Sequence, residues 1–317
     1  MTDAQIVAEA LALWGMGGAE YHLVAARENA VFKVTRGTCT HALRLHRKGY
    51  RTDTELRSEL QWMAAAARGG LSVPAPIPST SGDVLHGVAG VQVDMLTWLA
   101  GTPMGRTGEA LATTDRPGLF YAIGREMARL HEVSDAWTPP TGFIRHAWDR
   151  EGLLGETPLW GHFWNNPALS PTDRQLFLDL RVKADTDLAR IGGTLDYGLI
   201  HADLVRENIL IDGDRLHLID FDDGGFGWRL FDLATALIKN LDEPDYGVLR
   251  AALIAGYTSI RPIDLAALDL FIVLRSATYV GWNMTRMGEE GAAVRNSRFI
   301  DATRHLACEY LTPARAR

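Results

Sequence analysis

Cysteine is scarce in this chain: Cys39 and Cys308 stand far apart and no CxxC pair occurs. A disulfide framework and a zinc site are therefore not expected, and the chain reads as cytoplasmic. No apolar run approaches the roughly 20 residues that a bilayer span demands, so no membrane segment is expected. The opening MTDAQIVAEALALWG is acidic and lacks a basic n-region, so it is not expected to be a signal peptide. Positive charge is in deficit as well. With 32 Lys+Arg against 39 Asp+Glu, a net charge of -7 and a pI near 5.8, no broad cationic face for nucleic acid is expected. Internal repeats and low-complexity tracts are absent from the sequence.

What is present is an ordinary globular balance, 47% hydrophobic and 22% charged, in 317 residues, enough for two lobes each with a core. Residues 3–14 carry helical spacing. YHLVAA, AVFKVT and HALRLH then alternate as strands do, and TDTELRSELQWMAAAARGG opens on a capping-box pair, Thr52 and Glu55. VLHGV and GVQVDML follow as further strands. After about Trp98 helical patterns take over: LFYAIGREMARLHEV, residues 171–190, FDLATALIKNL, and three more over 247–312. The expectation is an α+β chain with a small β-rich lobe over 1–98 and a larger, mostly helical lobe over 99–317, with a ligand cleft between them. Residues 148–171 are turn-rich and carry three tryptophans, which suggests an insertion or substrate-side element.

The densest chemistry lies in HADLVRENILIDGDRLHLIDFDDGG, residues 201–225. Asp212-Gly213-Asp214 is a hairpin turn signal between two short strands. A hairpin returns the chain to its start, so Asn208 before the first strand and Asp220 after the second come to one end. Asp203 lies five positions upstream of Asn208. Hard oxygen donors without His or Cys suit Mg²⁺, which takes one or two protein oxygens plus phosphates and water. Phosphoryl transfer needs such a metal site and, separately, a carboxylate to align the attacking hydroxyl and accept its proton.

HADLVREN resembles the H-x-D-x-x-x-x-N catalytic loop of the kinase-like fold, and IDFD stands where the D-F-G motif falls. With FDLA downstream, the set is similar to the aminoglycoside phosphotransferase, choline kinase and type II homoserine kinase superfamily. The resemblance implies a bilobal protein-kinase-like fold, Asp203 as catalytic base, and Asn208 and Asp220 as Mg²⁺ ligands. It also implies that Asp232 of FDLA accepts N–H bonds from the loop, that His201 braces it, and that His131 is a packed residue. Two departures from protein kinases stand out: Asp222 replaces the glycine of D-F-G, and Val205-Arg206 replaces the usual loop lysine. For Arg206 two readings remain, an approach to the transferring phosphate or a solvated loop residue.

The same resemblance implies a cation on the nucleotide phosphates, held by a helix carboxylate. Arg44 in ALR takes the place of the lysine in V-A-I-K, on a strand face shared with Ala42. Glu59 sits on the buried edge of the helix stripe Leu56, Leu60, Met63 and is the expected partner of Arg44, with Glu55 as the second candidate and a solvent-facing Glu59 as the competing reading. Asn29, in the turn ARENAV, is expected to offer donors to the phosphates. Two readings remain for Asp94 to Trp98: a hinge, with Met95 and Leu96 presenting backbone groups to adenine, or a buried strand end. Trp148, Trp160, Trp164 and Trp282, with Asp222, Asp223, Glu289 and Glu290, could furnish an acceptor pocket for an amine; the competing reading is core tryptophans and solvated acids. The leading function is ATP- and Mg²⁺-dependent transfer of phosphate to a hydroxyl of a small, amine-bearing molecule. The alternatives are a bacterial protein Ser/Thr kinase on the same fold and a nucleotide-binding module without catalysis.

Overall fold

The computed structural model describes residues 2–26 and 29–312. In its first third the chain forms α1 (Asp3–Leu13), β1 (Glu20–Ala26), β2 (Asn29–Arg36), β3 (Cys39–His46), α2 (Asp53–Arg68), β4 (Leu85–Val88), β5 (Val91–Thr97) and β6 (Thr102–Pro103). The middle holds α3 (Arg116–Ala136), β7 (Ala147–Trp148), α4 (Arg150–Leu154), α5 (Pro171–Ile191), β8 (Tyr197–Ile200), β9 (Ile209–Asp212), β10 (Arg215–Leu218) and β11 (Gly225–Trp228). The last part is helical: α6 (Arg229–Ile238), α7 (Tyr246–Thr258), α8 (Leu268–Trp282) and α9 (Ala292–Leu311). This is the α+β class expected, β-rich at the start and helical after it. Among the described residues no helix is long and apolar enough to cross a membrane.

The chain forms two compact units. One runs up to Met104 and includes Glu132–Arg145 and Asn208–Asp222; the other contains Gly105–His131, His146–Glu207 and the residues from Asp223 onward.

In the first unit five antiparallel strands lie in the order β1-β2-β3-β5-β4. Side chains alternate across a strand, and here one face carries Phe32, Val34, Leu43, Leu45, Val93 and Met95. These pack with Ile6, Val7, Ala10 and Leu11 of α1 into one apolar core. The opposite face therefore carries Ala42, Arg44 and His46 of β3 and Asp94 of β5, and the register sets Arg44 directly across from Asp94. Helix α2 starts as its sequence predicts. Thr52 Oγ1 accepts from the Glu55 N–H at 3.3 Å, while a Glu55 carboxylate oxygen accepts from the Thr52 N–H at 2.8 Å. That start phases the helix so that Leu56, Glu59, Leu60 and Met63 are all buried.

In the second unit β7, β11 and β8 form a small sheet, and α8 packs against α6 and α9. Helices α3 and α7 approach closely at two glycines. A Cβ on Gly124 would meet the Leu253 carbonyl oxygen at 2.1 Å, and one on Gly256 would meet that of Tyr121 at 2.0 Å. No side chain fits either place, so glycine sets the helix separation.

Candidate functional site

The loop after β8 is held by its backbone. Asp232, in the first turn of α6, accepts from the N–H groups of His201 at 2.9 Å and Ala202 at 2.6 Å. Ala202 takes a left-handed conformation with φ 63°, which a non-glycine residue adopts at a cost only where its surroundings enforce it. His131 Nε2 lies 2.9 Å from Asp232 Oδ2, and its Nδ1 lies 2.8 Å from the Tyr257 hydroxyl. Burial, helped by the charge of Arg229, pushes His131 down to about 4, so it is a neutral packed residue rather than a proton carrier. His201 is fully buried and its Nδ1 accepts from the Asp203 N–H at 3.3 Å.

Asp203 projects from this loop with its side chain 22% exposed. Arg275 of α8, itself fully buried, donates from Nη2 to Asp203 Oδ1 at 2.7 Å. Burial pushes the carboxyl up to about 7, with Asp223 and Glu207 adding to the rise while Arg275 and Lys239 oppose it. Lys239 follows the end of α6. Its ammonium rests 3.8 Å from the Tyr279 ring centre and 5.0 Å from that of Phe299, and burial lowers it to about 8. A carboxyl poised near neutrality has the protonation behaviour that a general base requires.

In the first unit β9 and β10 pair antiparallel through the two-residue turn Gly213-Asp214, with Gly213 at φ 59°. The register sets Leu218 opposite Ile209, and the Ile219 N–H donates to the Asn208 carbonyl at 3.0 Å. Asn208 and Asp220 thus flank one end of the hairpin, as the turn signal predicts. Asp220 is exposed and left-handed at φ 68°, a conformation that aspartate tolerates better than most residues. One amide oxygen and one carboxylate at the mouth of a hairpin are a donor set that fits a magnesium-sized cation sharing its shell with phosphate and water.

The opposite face of the five-stranded sheet holds a buried ionic network. Arg44 Nη1 meets Glu59 Oε1 at 2.7 Å, while its Nε and Nη2 donate to the two Asp94 oxygens at 2.8 and 2.7 Å. Burial opposes the Arg44 charge, but the two carboxylates outweigh it and hold the guanidinium well above its usual range. Glu59 is kept below the ordinary carboxylate range despite burial, because Arg44, Arg145 and His46 surround it. Arg145 extends the network: Nη1 lies 3.3 Å from Glu59 Oε2, and Nη2 donates to the carbonyls of Phe221 at 3.1 Å and Asp222 at 2.6 Å.

Several expectations need correction. Asp94 is no hinge residue; it is fully buried and bonded to Arg44 and to His46 Nε2 at 2.7 Å. Met95 and Leu96 lie inside β5, where Leu96 pairs with Ala42 and the Met95 carbonyl accepts from the Ile77 N–H at 2.8 Å. Their backbone groups are committed to the sheet rather than offered to a base. Asn29 opens β2 with its amide oxygen 3.2 Å from His46 Nδ1; Arg27 and Glu28 of the same turn lie outside the described residues.

Arg206 is neither a phosphate contact nor a solvated residue. It is buried, and it donates to Asn240 at 2.9 Å, to the Glu109 carbonyl at 2.6 Å and to Glu243 at 2.5 Å. The aromatic cage is also filled from within. Trp148 and Trp164 are core residues, and Trp282 carries Arg286 at 4.1 Å and Arg295 at 5.3 Å from its ring centre. Glu289 pairs with Arg295, and Asp222 is buried with its carbonyl engaged by Arg145.

Arg275, Lys239 and Arg145 escape sequence reasoning. A signal for Arg275 exists nonetheless: it is the lone basic residue in the apolar helix LDLFIVLRSATYVGW. A charge inside such a helix demands a partner.

Comparison with known proteins adds an independent line. A family model described as the phosphotransferase enzyme family matches residues 22–271. The homoserine kinase of Brucella abortus (strain S19) is 30% identical over 267 residues, 82% of this chain and 76% of that one. Among solved structures, a microcompartment-associated aminopropanol kinase superposes with a TM-score of 0.87 at 30% identity, covering 98% of both chains. An amicoumacin kinase solved with AMP-PNP, Ca²⁺ and Ami shares the fold at a TM-score of 0.77 and 20% identity, covering 96% of this chain and 94% of that one.

Proposed function

The chain belongs to the phosphotransferase enzyme family, and from that premise we propose that it moves the γ-phosphate of ATP to a hydroxyl of a small, amine-bearing molecule. The observation that carries this reading is the Asp203 carboxylate. It is bound by Arg275 at 2.7 Å, held near neutrality at about 7, and set in a loop whose backbone is fixed by Asp232. As the acceptor oxygen bonds to the γ-phosphorus and the bond to the ADP oxygen breaks, the hydroxyl proton passes to Asp203.

Asn208 and Asp220 would hold the divalent ion, Mg²⁺ in this reading, which neutralises charge on the triphosphate. Arg44 serves the phosphates. An arginine has five N–H donors, and three are engaged by Glu59 and Asp94, so about two remain for phosphate oxygen. Glu59 and Asp94 fix the plane of that guanidinium, which a lysine would not need. Cytoplasmic ATP supplies the donor, in keeping with the two free cysteines.

The relatives' names, an amino alcohol kinase and a hydroxy amino acid kinase, support a small acceptor over a protein. The test is a panel of amino alcohols, hydroxy amino acids and aminoglycosides with γ-labelled ATP. Label is expected on one class. Label on a protein substrate with none of the panel modified would overturn the reading.

A further inference from the structure

Helix α8 is buried along nearly its whole length, and Arg275 lies in the middle of it with no measurable exposure. Burying a guanidinium is costly unless a carboxylate compensates it. Among the described residues Asp203 is the carboxylate in contact with it; its other partners are the hydroxyls of Tyr279 at 3.1 Å and Thr278 at 3.4 Å. The guanidinium is also enclosed by aromatic rings from three separate parts of the chain. Its central carbon lies 4.4 Å from the ring centre of Tyr279, 4.5 Å from that of Trp160 and 5.5 Å from that of Phe231. Such faces favour a cation and leave a planar one few orientations.

We propose that Arg275 is a positioning residue for phosphoryl transfer: clamped by Trp160, Tyr279 and Phe231, it grips Asp203 through Oδ1 and presents that carboxylate to the acceptor hydroxyl in one orientation. The inference rests on the reading of Asp203 as the base. It assigns a role in the chemistry to a residue 72 positions downstream in the chain, and it gives the Trp160 element a purpose other than enclosing an amine. A contact of this kind acts on the chemical step and leaves nucleotide binding alone, because neither Arg275 nor its ring box belongs to the Arg44 or Asn208–Asp220 groups.

The test uses the full chain with ATP and either aminopropanol or homoserine, whichever supports turnover. Arg275→Gln and Arg275→Ala are expected to lower kcat by roughly 100-fold, the penalty of a misplaced reacting group, with KM for ATP within about twofold of wild type. Arg275→Lys keeps the charge without the planar fork and is expected to lie between them. Millimolar guanidinium is expected to restore part of the Arg275→Ala rate by entering the ring box. Should Arg275→Ala fail to fold, the kcat and KM of Arg275→Gln decide alone. Wild-type kcat in a folded Arg275→Gln, or a rise in its KM for ATP that accounts for the whole loss, would overturn the role of Arg275. Asp203→Asn separates this failure from that of the underlying reading. If that variant is inactive while Arg275→Gln turns over normally, only the positioning role falls; if Asp203→Asn is fully active, the base assignment falls with it.

Discussion

Arg145 Nη1 lies 3.3 Å from Glu59 Oε2, and the same side chain donates from Nη2 to the carbonyls of Phe221 and Asp222. One buried guanidinium thus joins the middle of α2 to the segment directly after Asp220. The carboxylate that orients Arg44 and the carboxylate proposed for the metal are linked inside one unit, so a disturbance at either reaches the other.

Arg145→Met tests that link. The change strands Glu59 with one fewer cation and takes the Arg145 donor away from the Phe221 and Asp222 carbonyls. Removing one partner of a buried ion pair costs about 3–5 kcal/mol, which denaturant unfolding would register. KM for MgATP is expected to rise by on the order of 10-fold, the usual effect of removing a group that orients a metal ligand. An unchanged KM in the folded variant would separate Arg145 from nucleotide binding.

The pH dependence has a definite sign. The Asp203 carboxyl is raised to about 7 by burial, and a base must be ionised to accept a proton. The plot of kcat/KM against pH should therefore fall about tenfold per unit below neutrality and level off above it. A limb centred instead near the ordinary carboxylate range would place the titrating group elsewhere.

Gly256 tests the scaffold behind the loop. An alanine there sets its Cβ 2.0 Å from the Tyr121 carbonyl oxygen, so α3 and α7 must part. The neighbouring Tyr257 holds His131, which in turn holds Asp232 and the loop bearing Asp203. Gly256→Ala is expected to destabilise the chain by roughly 1–3 kcal/mol, the range for an overpacked contact, and to lower the melting temperature measurably. A neutral result would show that the two helices separate without strain.

Local patterns carried much of this into view, and long-range register hid the rest. Glu59 could be matched to Arg44 because a capped helix fixes the phase of its own stripe, and Thr52 with Glu55 marks where that phase begins. Asn208 and Asp220 could be brought together because a two-residue turn fixes the return of a hairpin. The contact of Asp94 with Arg44 is hidden in the sequence because it depends on how β3 and β5 align, a register set by pairing between distant residues. The burial of Arg206 is hidden for the same reason, since its partners Asn240 and Glu243 lie more than thirty residues on. The surroundings of Trp282 are legible in the sequence: Arg286 stands four positions later, where a helical turn brings a cation onto its ring.

The most direct test of the central claim is the turnover of Asp203→Asn measured beside its nucleotide binding. Loss of the proton acceptor is expected to reduce kcat by about 10²–10⁴-fold, with the thermal shift on adding MgATP retained. Wild-type turnover by a folded Asp203→Asn protein would contradict the account.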